Sequence, residues 1–301
     1  MTLTQISDAT IGKPKTLRGT SIFPIFTDPT TCADFEIATD QLEIGELASA
    51  SVPELSVHNP TKKPVIIPAG KILAGGRQTR TVNVSIVVYP DATVIIPVSC
   101  VEQGRWGGTP RFRDSNRMAS KRVRLQKEMS VSENILRYGS KNSDQTKVWN
   151  AINVELHSRG IYAPTSNFLD ADYQLEREYD RQEVIDEFLH KGPHDGQTGV
   201  VVSYGGEISG LEIFPSPRAL SQYWEAIIRS AVLDSPLGAK RPATQAKVKK
   251  FVDAVASAPA TTAPGVGGGT ELHIQHPELV GQALIVDGKL LHANAFANSV
   301  S

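Results

Sequence analysis

Residues 69–90 read AGKILAGGRQTRTVNVSIVVYP, and the fold turns on the segment just after the pair Gly75-Gly76. A glycine loop that cradles phosphate opens a helix, whose free N–H groups and dipole hold the anion. Here residues 81–88 are β-branched and alternating, which is the pattern of a strand. The P-loop and dinucleotide fingerprints are thereby rejected. Gly75-Gly76 becomes a turn that delivers Gln78 and Arg80 to a strand running to Tyr89.

Outward from that block, residues 22–26, 55–57, 65–67 and 93–101 supply further strands. Asn59-Pro60-Thr61-Lys62-Lys63-Pro64 and Tyr89-Pro90-Asp91-Ala92 are the turns between them. Short strands in series make 21–104 a β-rich region, an antiparallel sandwich or open barrel. The pattern then becomes helical over 115–192. Ser143 N-caps a helix carrying Val148, Ile152 and Leu156 and closed by Gly160, and a second helix spans 170–191. Residues 199–256 are mixed, with a hairpin through Gly205-Gly206 and a helix started by Ser216-Pro217. Residues 257–270, SAPATTAPGVGGGT, have the composition of a flexible linker. Residues 271–297 close the chain as a hairpin turning at Asp287-Gly288. With residues 1–20 as a loose N-terminal arm, the expectation is one α+β domain over 21–301. It has an antiparallel β core, helices inserted in the middle and a closing C-terminal hairpin, and segments 21–104, 199–214 and 281–296 share one core.

Composition narrows the function classes. The chain has 301 residues, 31 Lys plus Arg against 32 Asp plus Glu, and 40 % hydrophobic residues. So balanced a charge provides no global field for nucleic acid or an anionic membrane. Two cysteines, Cys32 and Cys100, make no disulfide framework and fit a reducing compartment. No run approaches the roughly 20 apolar residues of a membrane span, and the polar start lacks a signal-peptide core. A cytoplasmic protein is expected.

Period two puts Gln78, Arg80, Val82 and Val84 on one strand face. A guanidinium on an apolar face needs an anion, either an internal carboxylate or a phosphate or carboxylate ligand held bidentately. On the next strand Val94, Ile96 and Val98 share parity with Cys100 and Glu102, which places Glu102 at the inner end. Glu102 is then the partner of Arg80, and equally a general base, because burial raises a carboxyl pKa. Arg105 and Trp106 follow on a Gly-rich turn, where they clamp a phosphate and stack on a base, or pack on each other. His292 shares a face with Leu290, Asn294 and Phe296, as a contact to the first sheet or as a satisfied core histidine. The pairs His190/His194 and His273/His276 match metal-ligand spacings only loosely, so no metal ligand is assigned. No Gly-x-Ser-x-Gly elbow is present, and neither cysteine has a basic partner nearby in sequence. The run from Arg105 to Lys127 holds eight Lys and Arg against Asp114 alone, a docking surface or a solvated helical face.

The stretches at 57–88, 94–106 (VIIPVSCVEQGRW) and 292–296 (HANAF) carry a resemblance. Asn59 precedes an apolar strand, Gly75, Gly76, Gln78 and Arg80 form Gly-Gly-x-Gln-x-Arg, and Cys100, Glu102 and Trp106 form Cys-x-Glu-x-x-x-Trp. Together these resemble the ARG and Rhodanese-Phosphatase-superfamily-associated protein family over most of residues 20–297. The association in that family's name, with ADP-ribosylglycohydrolases and rhodanese-like phosphatases, implies work near ADP-ribose, NAD or phosphate esters. It transfers no catalytic residue.

The expected function is binding, with processing open, of an anionic nucleotide or ADP-ribose-type small molecule. Arg80 and Arg105 hold the anion, Trp106 stacks, Gln78 and His292 line the site, and Glu102 orients Arg80 or acts as base. No cofactor is assigned. One alternative is a non-enzymatic interaction protein that docks an acidic partner or nucleic acid through residues 105–127, although the balanced charge argues against nucleic acid. Another is a metal-dependent hydrolase using the scattered histidines.

Overall fold

The computed structural model describes residues 3–28, 35, 39–47, 51–238 and 241–298, so Cys32 lies outside the described residues. The chain begins with α1 (Thr4–Ser7), β1 (Thr10–Ile11), β2 (Lys15–Leu17) and β3 (Thr20–Phe26). Eight strands come next: β4 (Glu43–Gly45), β5 (Glu54–His58), β6 (Val65–Ile67), β7 (Lys71–Gly75), β8 (Arg80–Val82), β9 (Ile86–Val88), β10 (Thr93–Cys100) and β11 (Arg111–Met118). The helical region is α2 (Lys121–Tyr138), α3 (Gln145–Ser158), α4 (Phe168–Leu175) and α5 (Tyr179–Lys191). After it come β12 (Gly199–Tyr204), β13 (Glu207–Ile213), α6 (Pro217–Asp234) and α7 (Gln245–Ser257). The chain ends on β14 (Ala260–Pro264), β15 (Thr270–His276), β16 (Leu279–Val286) and β17 (Lys289–Ala297).

These strands make an α+β fold with an antiparallel core, as expected, but in two bodies. One is a closed barrel ordered β10-β5-β4-β11-β7-β8. The other is an open sheet ordered β1-β3-β12-β13-β17-β16-β15-β14, with β2 on β3, and β6 pairs β9 between the two. The barrel fills with Leu55, Val57, Leu73, Val82, Ile96, Val98 and Phe112. The open sheet is covered on both faces, and period two sorts its side chains. Ile22, Val200 and Val202 pack toward the helical region and α6, whereas Phe23, Ile25 and Val201 pack toward α1 and α7. Ile66 and Val87 meet Leu284, Val286 and Leu291 where the barrel side joins the sheet. Residues 281–296 share a core with β3, β12 and β13, and β17 is separated from β12 by β13 alone, but the barrel strands keep a core of their own, so residues 21–104 do not all join it.

Several expectations change. Residues 81–89 are not one strand: β8 belongs to the barrel, β9 pairs β6, and the chain crosses at Asn83-Val84-Ser85. Side chains replace the lost ladder, with Ser85 N–H donating to Gln282 Oε1 at 3.0 Å and Gln282 Nε2 to Asn83 O at 3.2 Å. The segment read as a linker, 257–270, carries β14, paired to β15 along its whole length. Its glycines serve close approach rather than slack. Gly267 sits at φ +79°, and a Cβ there would lie 1.7 Å from the Val87 carbonyl oxygen. The closing hairpin is a β15-β16-β17 meander. The N-terminal arm is docked, with Ile6 fully buried and Leu3 N–H bonded to Ala256 O at 3.2 Å. The long helix at 170–191 divides into α4 and α5, and the expected Ser143 cap is Asp144, which accepts from Thr146 N and Lys147 N.

Among the described residues no helix is long and apolar enough to cross a membrane. The helical layer holds a pH-sensitive carboxyl at the end of α6. Asp234 closes α6, and burial, helped by the charge of Glu155, pushes its carboxyl up to about 7. A carboxyl raised in the folded state contributes stability that is complete below its unfolded pKa and lost as pH rises through the folded one. Urea unfolding should therefore show stability falling between about pH 4 and pH 7, and Asp234→Asn should flatten that fall.

Candidate functional site

Arg80 is the first residue of β8, just past the Gly75-Gly76 turn. Its direct neighbours across the ladders are Leu73 and Cys100, and cross-strand pairs share a face. Leu73 belongs to the barrel core, so Arg80 and Cys100 point into the barrel at its end. Arg80 is 2 % exposed. Its Nη1 donates to Gln78 O at 3.2 Å, Gln78 Oε1 at 3.1 Å and Cys100 Sγ at 3.1 Å. Its Nε is buried without a partner, and among the described residues no carboxylate pairs with it. The Cys100 thiol faces Gln78 Oε1 at 2.9 Å and Glu102 O at 3.2 Å. Burial pushes this thiol up despite the opposing Arg80 charge, so it stays protonated and is no counter-ion.

Glu102 was expected to be the partner of Arg80, and the structure corrects this. The chain leaves the strand after Cys100, and Glu102 instead bridges to Asn167 beside the loop before α4. Its Oε1 accepts from Arg105 Nε at 2.9 Å and Thr165 Oγ1 at 3.0 Å. Its Oε2 accepts from Arg105 Nη2 at 2.7 Å, Thr79 N at 3.0 Å and Thr79 Oγ1 at 2.9 Å. Burial alone would raise this carboxyl, but Arg105, Thr79 and Thr165 together hold it below the usual carboxylate range. The elevated base expected at Glu102 is therefore absent. Five donors also fill the roughly four lone-pair positions of a carboxylate. Glu102 is a scaffold.

Arg105 is equally committed. Besides its two bonds to Glu102, Nη1 donates to Gly76 O at 2.8 Å and Gly107 O at 2.9 Å, and Nη2 donates to Gly75 O at 3.2 Å. All five guanidinium N–H groups have acceptors. Arg105 thus rivets the 103–108 loop to the glycine turn, while Arg80 keeps an unspent donor. Trp106, next along the loop, is 62 % exposed. Gln145 on α3 fixes the backbone of Cys100 from outside, accepting from its N–H and donating to its C=O, both at 2.8 Å.

The described residues bring Gln78, Arg80, Cys100, Glu102 and Arg105 together, but not His292. That residue lies fully buried between the barrel side and the open sheet, with Nδ1 on Ser85 Oγ at 2.8 Å and Nε2 on Glu212 Oε2 at 3.0 Å. The order serine, histidine, carboxylate has the look of a nucleophile relay. No substrate reaches it, since Ser85 and His292 are both fully buried, and Glu212 also pairs with Arg124. It is a polar strap across the two β bodies.

The basic run from Arg105 to Lys127 is turned largely inward. Arg117 pairs with Asp172 at 2.6 Å, Arg122 with Glu155 at 3.7 Å and Lys127 with Glu128 at 3.1 Å. Among the described residues no cluster of His, Cys, Asp and Glu is arranged to hold a metal ion. A cleft of about 650 Å³ lies away from the barrel mouth, lined by Arg18, Tyr179, Glu183 and Glu187. Its charges already satisfy one another, Arg18 with Glu183 at 2.6 Å, which makes the mouth the stronger candidate.

The family model of the ARG and Rhodanese-Phosphatase-superfamily-associated Protein domain, ARPP-1, matches residues 8–296, spanning both β bodies and the mouth. The chain belongs to this family. Neither a curated protein nor a solved structure matches it. In this ARPP-1 domain, sequence reasoning missed Thr79, Gln145 and Thr165 as parts of the mouth. Thr79 stands inside the Gly-Gly-x-Gln-x-Arg block and was within reach of notice. Gln145 and Thr165 come from elements that only the fold brings near.

A bare charge inside a barrel has a measurable consequence. Removing a buried group that lacks an opposite charge relieves a desolvation cost instead of orphaning a partner. Arg80→Met should leave stability within about 1 kcal/mol of wild type, or raise it, as read from urea unfolding midpoints. A loss of about 3 kcal/mol or more would mean that Arg80 is held as one half of a structural pair.

Proposed function

We propose that this ARPP-1 domain binds an anionic small molecule of the nucleotide or ADP-ribose type at the barrel mouth, with Arg80 supplying the counter-charge. One observation carries the reading: a guanidinium 2 % exposed, whose Nε has no partner and which faces no carboxylate among the described residues. Buried charges are paired in folded proteins because an isolated one costs several kcal/mol, on the order of a whole domain's stability margin. A phosphate or carboxylate oxygen at Nε would relieve that cost, and arginine's planar fork suits such an anion. Gln78 holds the opposite edge of the guanidinium in place through both its oxygens. Arg105 supports the site by fixing the loop, and Glu102 by fixing Arg105. Reaching Arg80 requires the Gly-rich 103–108 loop to lift, since Gln103 O already touches Gln78 Nε2 at 3.4 Å. Binding is the function this geometry favours, because Glu102 has no lone pair left for a substrate proton. A reducing, cytoplasmic setting agrees with a free buried Cys100.

The test is thermal stability against ADP-ribose, NAD, AMP and inorganic phosphate, in wild type and Arg80→Met. A ligand at 100 times its Kd adds about 2.7 kcal/mol to the folded state. Stabilisation of the wild type by one of these anions, lost in Arg80→Met, is expected. Equal responses in both proteins, or none in either, would overturn the proposal.

A further inference from the structure

Two exposed aromatic side chains lie on the two loops that meet beside the Glu102–Arg105 clamp. Trp106 is 62 % exposed and Tyr162 is 89 % exposed. Trp106 follows the Glu102–Arg105 clamp, and Tyr162 lies in the connection between α3 and α4. These two loops are laced side by side. Gly104 N–H donates to Thr165 O at 2.9 Å, Thr165 Oγ1 to Glu102 Oε1 at 3.0 Å, and Phe168 N–H to Val101 O at 2.9 Å. The contact is close enough that a Cβ on Gly104 would lie 2.9 Å from Thr165 Cα. Trp106 is two residues beyond that junction and Tyr162 three residues before it. Neither ring stacks on another ring or lies under a cation among the described residues.

Resting on the anion-binding reading above, we infer that Trp106 and Tyr162 are the base-stacking rim of the same site, so that its ligand is a nucleoside phosphate and not a bare sugar phosphate. A buried guanidinium recognises the anion, but a phosphate alone has no use for two exposed aromatic faces. A planar base presents a π-face to either ring, and each stacking contact strengthens binding without demanding a particular base. The rim therefore selects for a base and tolerates its identity. Tyr162 becomes a specificity-determining residue.

AMP and ribose 5-phosphate share phosphate and sugar and differ by the base, which makes them the probes. Isothermal titration of the full chain should show AMP binding about 10-fold or more tighter than ribose 5-phosphate. Trp106→Ala and Tyr162→Ala should each shrink that ratio while leaving the ribose 5-phosphate affinity unchanged. Both side chains are exposed, so folding is expected to survive, and the retained ribose 5-phosphate binding reports it. Arg80→Met should weaken both ligands together. Equal affinity for the two probes in wild type, or an unchanged ratio in both rim variants, overturns the stacking rim while leaving the Arg80 site standing. Failure of both probes to bind, or equal binding to wild type and Arg80→Met, removes the anion site and the rim with it.

Discussion

Asp172→Ala should lower the stability of this domain by about 3–5 kcal/mol, the cost of removing one partner from a buried ionic cluster. Asp172 is 3 % exposed on α4 and answers two arginines. Arg117 Nε, from β11, reaches its Oδ2 at 2.6 Å. Arg229, from α6, reaches Oδ1 through Nε at 3.0 Å and Oδ2 through Nη2 at 2.9 Å. The carboxylate therefore joins the barrel wall to two helices of the layer covering the open sheet. What remains after its loss is poor compensation: Glu176 at 3.4 Å from Arg229 and Glu225 at 3.1 Å from Arg117, both on more exposed side chains. Urea unfolding at pH 7 measures the loss. A drop of less than about 1 kcal/mol would place this cluster among the surface pairs that contribute little.

Glu102→Ala should cost about 2–4 kcal/mol, somewhat less because Arg105 is 32 % exposed and can turn to water. Five hydrogen bonds end on this carboxylate, two of them from Thr79 inside the barrel turn. Their removal frees the 103–108 loop and leaves the Thr79 N–H unpaired. Glu102→Gln keeps an acceptor and should lose less. The pH dependence has a definite sign. A carboxyl depressed in the folded state contributes stability that is present above its unfolded pKa and lost as pH falls through the folded one. The gap between wild type and Glu102→Gln should therefore close as pH drops below about 4. If Glu102→Ala is neutral at pH 7, the five-fold clamp is not what holds the mouth.

The contrast between these variants and a neutral Arg80→Met separates scaffold from site. Glu102, Arg105 and Asp172 are charges that the fold has answered. Arg80 is a charge that the described fold leaves unanswered.

Much of this arrangement was legible before the fold was known. β-branched alternation located β3, β5, β6 and β10, and cap chemistry placed the start of α6 at Ser216-Pro217. Rejecting the phosphate loop at Gly75-Gly76 was sound, because Arg80 does enter a strand there. β11 was not legible, since its sequence RFRDSNRM buries little more than Phe112 and Met118 and wears the polarity of a surface helix. Without β4, β7 and β11 the barrel could not be seen to close. The Arg80–Glu102 pairing failed for a related reason. Period two extends a strand face only while the strand lasts, and β10 stops at Cys100. Glu102 lies beyond it, turned to Arg105 three residues away. The 257–270 segment misled through composition, because glycines there accommodate the Val87 carbonyl and the Tyr89 ring instead of loosening the chain. Ser85 and Glu212 escaped notice because only the crossing from barrel to sheet brings them to His292.

The central claim is that the free Nε–H of Arg80 waits for an anion, and arginine Nε–H resonances report on it directly. In a ¹⁵N-labelled sample, the Arg80 signal is identified as the one missing from Arg80→Met. The account predicts that this resonance shifts, and exchanges more slowly with water, as ADP-ribose is titrated, while the Arg229 signal, bonded to Asp172 away from the 103–108 loop, stays in place. An Arg80 resonance unmoved at saturating ADP-ribose and at saturating AMP would contradict it.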